Sequence, residues 1–167
     1  MLVGSNVGLI HLIASILALI FGTWILVTEK GTSVHRKVGY LYAVSMGVLI
    51  VTAFLIYRLF GSFGLFHIAA AVSAVTLVAG MVPVITRRPR NNWLGYHFSF
   101  MFWSVLGLYA AFMAETLTRT PHTPFFQMVG IATGGVMLVG YIAFFFYKKK
   151  WSRLAALYQN NQANRTD

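Results

Sequence analysis

Hydrophobic residues in this chain fall into five long runs, each about 20 residues long and almost free of charge. A helix needs about 20 apolar residues to cross the hydrocarbon core of a bilayer, and backbone groups in lipid must be hydrogen-bonded within their own segment. The pattern therefore predicts five transmembrane helices. They are expected at Val7–Thr28, Val38–Tyr57, Gly64–Thr86, Trp93–Glu115 and Phe125–Tyr147.

Short polar links of about 5–10 residues separate these runs, so consecutive helices are expected to be antiparallel neighbours. The predicted fold is all-α: an antiparallel four-helix bundle core with a fifth helix beside it, in a transmembrane domain over residues 1–150. Trp151, Leu154 and Tyr158 share one helical face. That spacing predicts a short interfacial helix and a polar cytoplasmic tail over residues 151–167.

Composition supports the membrane class and excludes several kinds of chemistry. Apolar residues make up 58% of the 167 positions and charged residues only 10%, which is too apolar for a soluble domain. The absence of cysteine excludes disulfides, thiolate ligands and covalently attached c-type haem. Only three residues are acidic, so paired-carboxylate catalysis, a Ser–His–Asp triad and an HExxH zinc motif are excluded too. The first helix has no basic region before it and is expected to be retained.

The net charge of +10 is concentrated in particular links. Of the 13 lysines and arginines, only Arg58 and Arg119 fall in the second and fourth links, while the other 11 fall in the first and third links and the tail. This asymmetry predicts an N-terminus outside and a C-terminus inside a bacterial cytoplasmic (inner) membrane. The predicted partners are anionic lipids and other membrane subunits, not nucleic acid.

Four histidines lie near the ends of predicted helices, at matched depths. His11 and His67 are near the outer ends of helices one and three, and His35 and His97 are near the inner ends of helices two and four. In an antiparallel bundle these helices face each other diagonally, and a rise of about 1.5 Å per residue puts the two pairs about 22 Å apart. The arrangement predicts two b-type haem sites in an electron-transfer protein. The cations that lie where haem propionates would emerge are Arg36, Lys37, Arg87 and Arg88.

Two alternatives fit the same residues. Imidazole and carboxylate groups also suit zinc or copper, so an outer metal site is possible, although His122 lies between two prolines and is a poor ligand. The candidate metal ligands are His11, His67, Glu115, His35 and His97. Alternatively, the histidines only cross-link helices in a cofactor-free accessory or scaffold subunit.

Several segments together resemble a bacterial family of multi-pass membrane proteins to which no activity is assigned. They are "KGTSVHRKVGYLYAVSM", "FGLFHIAA", "WLGYHFSFMFWSVLGLYAAFMAE" and "TRTP", and they cover roughly residues 8–121. The resemblance implies that the characteristic positions are His11, His35, Arg36, Gly39, His67, His97, Met101 and Glu115. A looser similarity is to transmembrane di-haem cytochromes b, which also pair histidines diagonally. This chain lacks the additional substrate-side histidine and lysine pattern of those cytochromes.

Overall fold

The structure is a computed structural model that describes residues 5–56, 61–119 and 124–163. The described residues form five helices and no strand. Each helix is long and apolar enough to cross a membrane, which confirms the prediction of an all-helical chain with five such helices. The helices are α1 (Asn6–Val27), α2 (Ser33–Phe54), α3 (Leu65–Thr86), α4 (Trp93–Leu117) and α5 (Phe125–Ala163).

The start of α2 differs from the prediction. The side chain of Thr32 accepts a hydrogen bond from the backbone N–H of His35, at 3.1 Å, and so caps the helix. As a result α2 begins at Ser33, five residues before the predicted Val38, and its first turn carries His35 and Arg36. The first turn of a helix needs partners for its free N–H groups, but it does not need hydrophobic residues. A capping threonine can therefore start the helix before the apolar run begins.

The end of α5 also differs. We predicted an end at Tyr147 and a separate interfacial helix, but α5 is one helix of 39 residues. No glycine or proline follows Gly140 within it, and Trp151 is buried against α4, with ring centroids 6.0 Å from Phe98 and 5.4 Å from Phe102. A helix of this length is about 58 Å long, roughly twice the hydrocarbon thickness. The predicted boundary at residue 150 therefore falls inside a continuous helix.

Contacts between the described residues show which helices are neighbours. Helix α1 packs against α2 and α4, α3 also packs against α2 and α4, and α5 packs mainly against α4, with a ring contact between Phe125 and Phe66 of α3. Most of the buried apolar core lies on α2 and α4, and many large apolar side chains face outward, as expected in contact with lipid. The core residues are Ala18, Ile25, Val38, Tyr42, Met46, Ile50, Met101, Val105 and Leu108.

A buried hydrogen bond crosses the middle of this core. Tyr42 of α2 is fully buried, and its hydroxyl group lies 2.9 Å from the hydroxyl of Ser104 on α4. Buried hydroxyl groups in proteins nearly always have a partner, and each of these two satisfies the other. The pair therefore joins α2 and α4 across the centre of the protein.

We predict that Tyr42→Phe lowers the free energy of unfolding by about 0.5–1.5 kcal/mol, the net contribution of a typical intramolecular hydrogen bond. The change removes one hydroxyl and leaves the ring in place. Tyr141→Phe is the matched control, because Tyr141 is 64% exposed on α5. Unfolding in mixed detergent micelles would measure both variants, and an equal effect of the two changes would contradict the prediction.

Candidate functional site

Two histidines meet at the end of the helices that carries most of the described cations, here called the basic end. His35 is in the first turn of α2 and His97 is in the second turn of α4. Their ring centroids are 6.3 Å apart and their planes are nearly perpendicular, at 89°. Two imidazoles from different helices are therefore held edge to face.

Both rings line a cleft of about 300 Å³ at the basic end. This volume is at the lower end of the range for small-molecule sites, about 300–1,000 Å³. Most of the wall is apolar, and three cations, Lys30, Arg36 and Arg87, line it as well. The apolar lining includes Ile25, Leu26, Met81, Phe98, Met101 and Trp151.

A hydrogen bond to the backbone orients His97. Its Nδ1 lies 2.8 Å from the carbonyl oxygen of Gly80 on α3. A carbonyl only accepts, so Nδ1 carries the proton and the lone pair of the neutral ring is on Nε2. Histidines that bind metals commonly have this arrangement, in which the distal ring nitrogen donates to a carbonyl or carboxylate.

The hydrogen bond requires α3 and α4 to approach closely at Gly80. A Cβ atom at this position would lie 2.7 Å from Sδ of Met101 and 3.2 Å from the backbone nitrogen of Met101. Glycine is therefore needed there. Pro83 lies in the next turn of α3 and has no N–H to donate. The helical hydrogen bonds to the carbonyls of the preceding turn, which contains Gly80, are therefore weakened.

His35 is held less completely than His97. Its Nδ1 is buried and has no hydrogen bond to any of the residues that the structure describes. A buried polar atom without a partner costs about 1–3 kcal/mol, so such atoms are uncommon in folded proteins. A group bound in the cleft beside His35 would therefore supply a partner that its ring now lacks.

The three cations of the cleft pair with no acidic residue in the part of the chain that the structure describes. Among the described residues the only ion pair is Glu115–Arg119, at the other end of the helices. Lys30 is half-buried and donates to the carbonyl oxygens of Ile25 and Leu26 at the end of α1. Burial, with a smaller effect from Lys150, lowers the pKa of Lys30 to about 8. An anion in the cleft would relieve this unfavourable environment.

Arg87 is fixed at the rim by contacts with two other helices. It ends α3 in the left-handed conformation, with φ of 56°. Its guanidinium group donates to the hydroxyl of Tyr158 on α5 at 2.7 Å and lies 4.6 Å from the ring centroid of Trp93 on α4. The position of this cation is therefore set by both α4 and the extension of α5.

At the opposite end, the predicted outer residues have separate partners. His11 Nδ1 lies 3.0 Å from the hydroxyl of Thr52 on α2, and Glu115 forms its ion pair with Arg119 one turn later on α4. Glu115 and Arg119 are both close enough to His11 to interact with it electrostatically. His67 is 5% exposed. It accepts a hydrogen bond from the backbone N–H of Gly64, 3.1 Å from its Nδ1.

These contacts leave the predicted outer metal site unassembled in the described part of the chain. There, no three His, Cys, Asp or Glu side chains form a group that could hold a metal ion. His122, the weaker outer candidate, lies outside the described residues.

Sequence reasoning missed three parts of the site. Lys30 lines the cleft, although the charge pattern assigned it only to lipid headgroups, and Trp151 lies in its wall and not in a separate helix. The carbonyl of Gly80 was also missed. Pro83 could have indicated it, because a proline disturbs the hydrogen bonds to the carbonyls of the preceding turn. It lies three residues after Gly80, at the predicted depth of His97.

We predict that Gly80→Ala lowers the free energy of unfolding by about 1–3 kcal/mol, the usual cost of overpacking. The methionine side chain can move, but the backbone nitrogen of Met101 cannot, so α3 must shift away from α4. Gly107→Ala is the control, because a Cβ at Gly107 meets no atom within 4 Å. Thermal unfolding in detergent would compare them, and a Gly80→Ala protein as stable as Gly107→Ala would contradict the close approach.

Comparison with protein-family models, with curated proteins and with solved structures finds no match for this chain. The family resemblance of the histidine motifs therefore stays a prediction. The function is inferred from the contacts at the basic end of the helices.

Proposed function

We propose that this protein is a b-type haem protein of the membrane that transfers electrons, alone or as a redox subunit of a larger complex, with haem held between His35 and His97. The observation that carries the proposal is the meeting of these two rings in a cleft with apolar walls and a cationic rim. Haem is an apolar macrocycle with two carboxylates and an iron that accepts two axial ligands. Each of these features has a counterpart in the cleft.

The distance between the rings leaves room for a metal ion between them. With metal–nitrogen bonds of about 2 Å, two imidazoles on opposite sides of one metal have centroids about 6 Å apart, and two in a tetrahedral site about 5 Å apart. The observed separation is 6.3 Å. At this separation His35 and His97 would have room to hold a metal ion between them, as a haem iron requires.

The walls of the cleft suit the macrocycle. Met81 and Met101 are flexible, polarizable side chains that adapt to the shape of a bound group. Gly39 lies one turn after His35 on the same face of α2, and the flexible side chain of Ile25 packs beside it, 3.1 Å from where a Cβ would lie. A planar ring perpendicular to the histidine axis needs such thin or adaptable walls.

The rim of the cleft suits the carboxylates. Arginine binds a carboxylate through paired, geometrically matched hydrogen bonds, and lysine binds it as a point charge. Arg36 and Arg87 are among the predicted propionate ligands, and Lys30 joins them as a lining residue. Three cations with no acidic partner among the described residues are a suitable anchor for two carboxylates.

The helix contacts support a four-helix core of α1 to α4 around this site, with α2 and α4 on one diagonal. In that core the two histidines approach from opposite sides. Bound haem would supply one-electron chemistry, because its iron takes up one electron on reduction and gives up one on oxidation. His35 and His97 would both be engaged in holding the group, which favours electron transfer over oxygen chemistry.

We predict that the protein purified from haem-replete cells has a Soret band and sharp α and β bands after reduction with dithionite. His35→Ala and His97→Ala should lose these bands, because each change removes one axial ligand. Met101→Leu should retain them, since it preserves volume beside the histidines and tests whether a methionine is the ligand instead. Size-exclusion elution would report whether each variant is folded. A folded wild-type protein without a Soret band would overturn the proposal.

A further inference from the structure

We infer that the chain holds a single haem, at the basic end only, and that His67 caps helix α3 instead of binding a second one. This inference rests on the proposed function and narrows it. Electrons would then enter and leave at one face of the membrane. The sequence predicted two haem sites, and the contacts of the two histidine pairs distinguish them.

The direction of one hydrogen bond is the first reason. Nδ1 of His67 receives the backbone N–H of Gly64, so this nitrogen acts as an acceptor. A neutral imidazole has one acceptor nitrogen and one N–H, so Nε2 carries the proton. Neither nitrogen then offers a free lone pair to iron. His97 has the opposite arrangement, with Nδ1 donating and Nε2 available.

The position of His67 explains this role. Gly64 precedes the first residue of α3, and His67 is in the first turn of that helix. A side chain at this third position that reaches back to the N–H of the capping residue is one half of a capping box, usually made by glutamate or glutamine. Gly64 has no side chain to give the other half, so the helix start depends on the imidazole.

Aromatic neighbours fill the space beside this ring. The ring of Phe63 stacks on His67 with centroids 5.1 Å apart and planes at 28°, and Phe54 of α2 lies at 6.2 Å. The residue is 5% exposed. A haem ligated by His67 would have to displace these contacts, whereas His35 and His97 already face a cleft.

His11 alone cannot complete a second site. The hydroxyl of Thr52 donates to the carbonyl of Val48, at 2.8 Å, so it accepts from Nδ1 of His11. His11 therefore has a lone pair on Nε2, but its diagonal partner does not. Among the described residues, a pair of histidines free to hold one haem between them is therefore found at the basic end alone.

The packed centre of the core separates the two ends. Tyr42 and Val105 are fully buried, and the hydrogen bond between Tyr42 and Ser104 closes the space between α2 and α4 above the cleft. About 25 Å of helix α2 separates His35 from Thr52, the level of His11, which is most of the thickness of a bilayer core. A single haem at the basic end is therefore close to one face and far from the other.

The same substitution at all four histidines tests the inference. We expect one haem per chain in the wild type, measured as pyridine haemochrome per mole of folded protein. His35→Gln and His97→Gln should lose it. His67→Gln should keep one haem, because glutamine can accept the N–H of Gly64 but is a poor haem ligand, and His11→Gln should keep it too. Two haems per wild-type chain, or loss of haem in folded His67→Gln, would overturn the single site.

A second variant guards against loss of folding. His67→Ala removes the cap and should lower thermal stability, yet the fraction that remains folded should still contain one haem per chain. Haem below that ratio in folded His67→Ala would overturn the inference. Absence of haem from the wild type is a different result, because it overturns the proposed function itself.

Sidedness gives an independent readout. In sealed vesicles sorted by tryptic cleavage at the lysines of α5, membrane-impermeant dithionite should reduce the ferric iron quickly only where the basic end faces outward. Dithionite supplies the electron and is itself oxidised. Equally fast reduction of vesicles in both orientations would overturn electron exchange at one face.

Discussion

His97 donates its Nδ1–H to the carbonyl oxygen of Gly80, and the arrangement of the cleft depends on this hydrogen bond. It fixes the proton on one ring nitrogen and leaves the lone pair of the other available. It also requires the close approach of α3 to α4, where a Cβ at Gly80 would meet Met101 at 2.7 Å. The packing of α3 on α4 and the orientation of the His97 ring therefore both depend on Gly80. A change that separates the two helices also releases the imidazole.

The same side chain has different chemistry at the two ends because its first partner differs. A backbone carbonyl makes His97 a donor, whereas a backbone N–H makes His67 an acceptor. In hydrocarbon, helix ends and proline-containing turns are the places where backbone groups lack partners. Histidine can satisfy either kind of group, so its depth in the membrane does not specify its role. The direction of its hydrogen bond does.

The sequence was sufficient to predict the number and type of helices, because five apolar runs of membrane length are a strong signal. It also indicated that His35 and His97 lie at the same depth. It could not show the length of α5, because the polar segment after Lys150 has no apolar run to mark it, and its position depends on the contact of Trp151 with α4. Nor could it show which nitrogen of His67 is protonated, since that depends on a single backbone contact.

The cations of the basic end have two possible partners, and the cleft favours one of them for Lys30. An exposed lysine beside a bilayer interacts with lipid phosphates and keeps its charge at little cost. Lys30 is instead half-buried over the last carbonyls of α1, and its pKa falls to about 8. Headgroups outside the protein relieve that desolvation less well than an anion inside the cleft does, because an interaction in a low dielectric is stronger. A group with an apolar body and attached carboxylates would contact the apolar walls of the cleft and the cations of its rim. Haem has this composition.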